Sequence, residues 1–323
     1  MFKQLDLLKK EAYLERILSE PKIDLKKVRQ YAWCGLPNMY RNKVYRTLLN
    51  VCGLVNVEHQ AQIIELNKEY FKKLEKLDNT QFSHIKTDLY FSIKEYQVDL
   101  EPKISKQINI DVDRIPSEYL KYKNQSLIFI YKNILRIVAI ENPDIGYVQG
   151  MADLLIPFID IYKNEYFGES TIYFCFSKIL NKFHDFFIEG QPGILESIMK
   201  IEKVLKVIDP ALFKYFQTNG IEIHMFAFRW LNCLFVREFK LQYYRIILDS
   251  MLSTTDYKLF LIYFSISILQ KIRGNLLKKN FDEALLFLQK LNQMDWTYND
   301  LKIMFANAYV NVNIFENKFY IDF

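Results

Sequence analysis

The stretch Asn124-Gln125-Ser126-Leu127-Ile128-Phe129-Ile130-Tyr131-Lys132-Asn133-Ile134-Leu135-Arg136-Ile137-Val138-Ala139-Ile140-Glu141 reads as a helix. Its apolar residues Leu127, Ile130, Tyr131, Ile134 and Val138 recur at the spacing that stacks side chains on one helical face. Pro143 disfavours helical backbone at the preceding residue, so this helix must end near Asn142.

The same period repeats on both sides. Upstream, Leu7, Leu8, Leu14, Ile17 and Leu18 define a helical segment that stops at Pro21, Asp24 caps a second that ends at Gly35-Leu36-Pro37, and Arg41–Cys52 and Ala61–Asp78 follow. Residues 79–123 are polar and interrupted by Pro102 and Pro116; they are expected to be loop, with room for a short helix at Thr87–Tyr96. Downstream, helices are expected at about 150–162, 169–187, 193–207, 209–218, 222–238, 241–250, 256–273, 280–291 and 297–312. The turn Gly190-Gln191-Pro192-Gly193 is the best place to divide the chain into two helical lobes.

Composition agrees with an all-α chain. Of 323 residues half are hydrophobic, enough for a sizeable core, and Gly and Pro are scarce (9 and 8) beside 22 Tyr and 26 Phe. A net charge of +5, from 43 basic and 38 acidic residues spread along the chain, gives no reason to expect a nucleic-acid partner. Cys34, Cys52, Cys175 and Cys233 are far apart and form no C-x-x-C pair, which favours reduced, buried thiols and a cytoplasmic protein. The N-terminus is interrupted by charge too early for a signal-peptide core. The most apolar later run, Leu259–Leu269, would be about 16 Å long as a helix, against a hydrocarbon core of roughly 30 Å. No membrane span is expected.

Two short segments carry the chemistry. Residues 108–114, Ile-Asn-Ile-Asp-Val-Asp-Arg, read I-x-x-D-x-x-R, and Tyr147-Val148-Gln149 reads Y-x-Q. Pro116 biases Ile115 towards extended backbone, so Arg114 is expected on a loop. A planar, permanently charged guanidinium there can enter a partner's site and stabilise charge spreading over a transferring phosphoryl group. Taken alone, Arg114 reads as an ordinary surface arginine, or one paired with Asp111 or Asp113; the motif reverses that reading. Gln149, between Gly146 and Gly150, is expected on a turn entering a new helix, where its amide can orient an attacking water or simply fill the turn. The two can converge: a helix over 124–142 would span about 28 Å, and residues 115–123, extended, could run back nearly 30 Å.

Other candidates are weaker. Arg229-Trp230 and Arg237-Glu238-Phe239 lie on one amphipathic stretch and read as scaffold with a satisfied Arg/Glu pair. His59, His84, His184 and His224 show no metal-ligand spacing, and no metal is assigned. The chain has no G-x-x-x-x-G-K-[ST] loop, no G-x-G-x-x-G and no G-x-S-x-G elbow, so it offers no nucleotide cradle of its own.

The two segments together resemble the signature motifs of the TBC (Tre-2/Bub2/Cdc16) domain family of Rab GTPase-activating proteins. The resemblance covers about residues 24–315. Trp33-Cys34-Gly35-Leu36-Pro37 with Arg41 is similar to the family's opening W-x-G-[IL]-P…R. The run Asn142-Pro143 through Gly146-Tyr147-Val148-Gln149-Gly150-Met151 is similar to N-P-x-x-G-Y-x-Q-G-[MI]. Phe226-Ala227-Phe228-Arg229-Trp230 with Arg237-Glu238-Phe239 is similar to the later F-x-x-R-W…R-E-[FL] helix. Two departures are visible: Tyr45 stands where R-x-x-x-W has tryptophan, and Ile247-Leu248-Asp249 replaces L-W-D.

The resemblance implies a two-lobed helical TBC fold over residues 24–323, with lobes of about 24–190 and 191–323, after an N-terminal helical extension (1–23). It implies stimulation of GTP hydrolysis on a GTP-bound Rab-family small GTPase, with Arg114 and Gln149 supplied in trans and Ile108, Asp111, Tyr147, Gly150 and Arg41 in support. GTP and Mg²⁺ would arrive with the partner GTPase, and the protein would need no cofactor of its own. The motif runs are most similar to the subgroup associated with Golgi and early secretory Rabs, implying vesicle trafficking and peripheral association with Golgi or other endomembranes. The rival reading is a catalytically silent TBC-like scaffold or effector, whose hallmark would be loss of either finger.

Overall fold

The structure, a computed structural model, describes residues 2–77, 95–96, 99–122 and 125–316, without the side chains of 2–8, 77, 122 and 125. It separates into two compact units, residues 1–28 with 37–189, and residues 29–36 with 190–323. Apart from the two-residue antiparallel pair Lys121–Tyr122 and Gln125–Ser126, the regular structure among the described residues is helical.

The first unit holds α1 (Phe2–Ser19), the start of α2 (Leu25–Ala32), α3 (Asn38–Leu48), α4 (His59–Leu77), α5 (Pro102–Asp113), α6 (Ile128–Glu141), α7 (Met151–Tyr162), α8 (Gly168–Lys182) and α9 (His184–Phe187). At its centre is α6, packed by α4, α5, α7 and α8. All five apolar residues that define its period are buried, and Leu135, Ile137 and Ala139 are buried as well. Asn133 and Arg136 are also buried and are satisfied by one segment: Asn133 Oδ1 accepts the Tyr96 N–H (3.0 Å), Arg136 donates to the Tyr96 carbonyl (3.0 Å), and Glu95 pairs with Arg136. A buried polar group is tolerated only when partnered in this way. Tyr45 is fully buried on α3, its ring edge-on to Phe158 of α7 at 6.4 Å.

The second unit holds the rest of α2, then α10 (Pro192–Ile208), α11 (Pro210–Thr218), α12 (His224–Asn232), α13 (Leu241–Ser253), α14 (Tyr257–Leu276), α15 (Phe281–Leu288) and α16 (Tyr298–Glu316). The apolar run Leu259–Leu269 lies in α14 and is buried throughout, the helix packing against α10, α12, α13 and α16. Its aromatic rings make the core: Phe264 stacks on Phe260 (5.4 Å) and Phe305 (5.5 Å) and meets Phe235 edge-on (5.3 Å). Such pairs contribute about 0.5–1.5 kcal/mol each beyond their buried area. Among the described residues no helix is long and apolar enough to cross a membrane.

The turn Trp33–Leu36 is docked onto this unit by specific contacts. Trp33 packs on Phe260 and Phe305, the Leu36 N–H donates to the buried Asp249 carboxylate (2.7 Å), and the Cys34 N–H donates to Ser250 (3.2 Å). Gly35 adopts φ +106°, and a Cβ there would lie 3.2 Å from Ile246. Where the L-W-D pattern is altered to Ile247-Leu248-Asp249, the aspartate that holds this turn is retained.

Two expectations fail. Residues 102–113 form helix, not loop: Pro102 sits in the first turn, where its missing N–H has no intrahelical partner to lose, and Ile108 and Val112 bury one face. The expected helix over 222–238 ends at Asn232, because Leu234 and Phe235 take positive φ (45° and 66°) and turn the chain back. Arg229 then reaches Glu238 with two hydrogen bonds of 2.8 and 2.7 Å, and the buried Glu238 carboxyl is pushed up by desolvation against the opposing pull of that arginine. Of the expected short helix at Thr87–Tyr96, residues 87–94 lie outside the described residues.

Candidate functional site

The site is assembled on the first unit from the C-terminal end of α5 and the loop between α6 and α7. Helical spacing along α5 buries Ile108 completely and carries Asp111 inwards with it. A carboxylate so withdrawn from water needs donors. Its Oδ2 accepts the Tyr147 hydroxyl (2.8 Å) and the Gly150 N–H (2.8 Å), and its Oδ1 accepts the Gln107 amide (3.2 Å). The I-x-x-D-x-x-R and Y-x-Q segments, 36 residues apart in sequence between Asp111 and Tyr147, therefore meet at one buried anion. The same charge, after burial itself, pushes the Tyr147 phenol far above its ordinary range and keeps it a donor.

The loop has the backbone this contact requires. Asn142 closes α6, its side-chain amide donating to the Val138 carbonyl (2.8 Å), and its own carbonyl accepts the N–H groups of Ile145 (3.0 Å) and Gly146 (2.8 Å). Gly146 and Gly150 both take left-handed backbone, φ +57° and +99°. At Gly150 this turns the N–H onto Asp111 and starts α7 in the next residue. Side chains with a Cβ rarely adopt that backbone. On the outer side of the loop Asp144 pairs with His184 of α9, a hydrogen bond that holds the exposed Asp144 carboxyl below its usual range.

Arg114 is the C-cap of α5, with φ −85° and ψ −12°, the first residue of the turn that follows the helix. Its side chain is 62 % exposed, and its guanidinium stands 4.0 Å from Asp111 Oδ1. At that separation no hydrogen bond forms, and with most of the guanidinium in solvent the group is only loosely held. Gln149 is exposed at the loop tip, in the turn immediately before Gly150. Asp111 thus gathers Tyr147, Gly150 and the approach of Arg114, with Gln149 carried beside them. Arg41 is buried on α3 and bonded to Asn38 of the same helix, and it is not among the partners of Asp111. The helix that carries it packs on α7 and α8.

Gln107 escaped the sequence reading. Its signal was the i, i+4 spacing to Asp111, visible only once 102–113 is helix. Asp144 and His184 carry no local pattern that would pair them. Of the histidines, His84 lies outside the described residues, and among the described residues no cluster of His, Cys, Asp or Glu is placed to hold a metal. The arrangement offers an exposed planar cation and an exposed side-chain amide on two segments joined through Asp111, groups that suit charge stabilisation and water orientation in a partner's site.

Known proteins resemble this chain in sequence and in fold. The model of the Rab-GTPase-TBC domain matches residues 38–277. GTPase-activating protein gyp1 of Schizosaccharomyces pombe is 28 % identical over 317 residues, covering 91 % of this chain and 59 % of that protein. Human TBC1 domain family member 22A is 29 % identical, with 91 % and 58 % covered. The chain thus spans under two thirds of the length of these relatives. Among solved structures, the Ypt/Rab-GAP domain of Gyp1p superposes with a TM-score of 0.84 at 26 % identity, over 96 % of this chain and 99 % of that one. A Chlamydomonas flagellar RabGAP TBC domain shares the fold, with a TM-score of 0.61 at 16 % identity over 88 % of this chain and 82 % of that one. A family match over most of the chain, on a helical frame in which both signature segments share one buried carboxylate, means that the chain belongs to the Rab-GTPase-TBC domain family.

Proposed function

We propose that this protein accelerates GTP hydrolysis on a Rab-family small GTPase in its GTP-bound state, inserting Arg114 and Gln149 into the partner's site. The observation that carries this reading is the buried Asp111 carboxylate, which binds the Tyr147 hydroxyl and the Gly150 N–H of the Gln149 loop while Arg114 leaves the same helix one turn on. Arg114 stabilises charge on the transferring phosphoryl oxygens; Gln149 orients the attacking water. GTP and Mg²⁺ come with the partner. The intact fingers favour this reading over a silent scaffold.

The similarity of the motif runs to the Golgi-associated subgroup supports action at Golgi or other endomembranes in vesicle trafficking, with the protein cytoplasmic and held there through its partner. The test is a hydrolysis panel: the purified protein against many GTP-loaded Rab proteins. Acceleration of one or a few by roughly 10³-fold or more, the scale of an arginine finger, is the expected result. Nucleotide-dependent binding without acceleration of any of them would establish the scaffold reading instead.

A further inference from the structure

The Oδ1 atom of Asp111 has two claimants on its own helix. Gln107, one turn before it, donates from 3.2 Å, and Arg114, one turn after it, stands off at 4.0 Å. Asp111 is almost completely buried, whereas Arg114 is mostly exposed. A buried carboxylate oxygen with no donor recruits the nearest one available, and a charged donor more strongly than a neutral one. With Oδ1 unoccupied, the guanidinium would close onto it, and a charge-assisted bond to a buried anion would hold it there.

We infer that Gln107 is a positioning residue that occupies Asp111 Oδ1 and so keeps Arg114 from being captured by its own helix. The inference rests on the proposed function for its catalytic consequence, though not for its structural one. In the free protein Gln107 satisfies the oxygen, and the arginine remains loosely held over the exposed rim. When Arg114 swings out into a partner, Asp111 loses only a 4.0 Å contact, because its three hydrogen bonds, from Tyr147, Gly150 and Gln107, stay in place. The buried charge that builds the loop is thereby separated from the guanidinium that must leave.

Substitutions with opposite signs test this. Gln107→Leu keeps the helix and removes the donor, so Arg114 closes on Oδ1. Gln107→Lys supplies an ammonium that pairs with the carboxylate one turn away and repels the guanidinium. The first measurement needs no partner: side-chain ¹⁵N relaxation of the Arg114 Nε–H in the free protein, assigned by its absence in Arg114→Lys. It should report a mobile group in wild type and Gln107→Lys, and a rigid one in Gln107→Leu. An Arg114 side chain already rigid in wild type, or unchanged in Gln107→Leu, overturns the inference.

The second measurement uses the GTPase found by the hydrolysis panel. Gln107→Leu should lower kcat by roughly tenfold or more, the scale of one hydrogen bond to a charged group that must be broken before the arginine can leave. KM and binding to the GTPase carrying a non-hydrolysable GTP analogue should stay the same, while binding to the GTPase trapped with GDP and a planar phosphate mimic weakens by a similar factor. Gln107→Lys should retain wild-type kcat. Equal losses in both variants, or a lowered melting temperature that accounts for the loss, would show a merely structural residue. If relaxation shows capture in Gln107→Leu but wild type activates no Rab, the positioning role stands and the proposed function fails.

Discussion

At the scale of single residues, the site separates groups that build it from groups that act. Arg114 makes no core contact and is 62 % exposed, so Arg114→Ala should leave the melting temperature unchanged while lowering kcat/KM by about 10³-fold or more. Arg114→Lys should recover little, because an ammonium lacks the planar fork. A folded Arg114→Ala protein with near-normal kcat/KM would remove the arginine from the mechanism. Gly150 belongs to the builders: its φ of +99° and its N–H on Asp111 are both required. Gly150→Ala should destabilise by about 1–2 kcal/mol from left-handed strain alone, and should lower activity along with stability. Equal melting temperatures of the two proteins would show that the loop can reach Asp111 by another backbone path.

Packing within and between elements explains which parts of the fold were legible. The α6 period was plain in sequence because five apolar residues repeat on one face, and each is buried. The α5 helix was not, since Pro102 and Pro116 bracket it and proline reads as a breaker until its place in the first turn is known. The break after Asn232 was equally hidden, because positive φ at Leu234 and Phe235 has no signature in residues that normally avoid it. That break brings Glu238 back to Arg229, and Arg229→Met should cost about 3 kcal/mol at neutral pH by leaving a buried carboxylate unpaired. The sign with pH follows from burial, which already raises the Glu238 pKa and would raise it further without the arginine. A group whose folded pKa lies above its unfolded one gives its full stability below the unfolded pKa and loses it as pH rises through the folded pKa. The melting-temperature gap between Arg229→Met and wild type should therefore widen as pH rises above the ordinary carboxylate range and then level off; a constant gap would mean that Arg229 does not hold down the Glu238 pKa. On α3, Tyr45 is fully buried against Phe158, and Tyr45→Ala should lose about 3–5 kcal/mol, read as a clear fall in denaturation midpoint.

For the whole molecule, the all-helical class was legible in the sequence, while the meeting of the two motif segments was not. Arg114 and Gln149 stood out by pattern, and Asp111 and Tyr147 with them, yet that the aspartate is the common anchor is a fact of tertiary structure that spacing alone could not supply. Both candidate fingers sit on the first of the two units, where the two segments that carry them share Asp111. This leads to a prediction about two molecules together. Many small GTPases carry their own water-positioning glutamine and need only an external arginine. If Gln149 takes over that task, the responsive Rab with its own glutamine changed to alanine should still be activated substantially by the wild-type protein, and hardly at all by Gln149→Ala. Binding of both variants to the GTPase trapped with GDP and a planar phosphate mimic separates lost docking from lost chemistry, since that complex reports affinity for the transition-state arrangement. Loss of binding to the trapped form with retained binding to the GTP-analogue form would locate the glutamine's contribution in the chemical step. The opposite pattern, an inert Rab glutamine variant together with Gln149→Ala still activating the unmodified Rab, would reduce Gln149 to a turn residue and leave Arg114 as the one finger supplied.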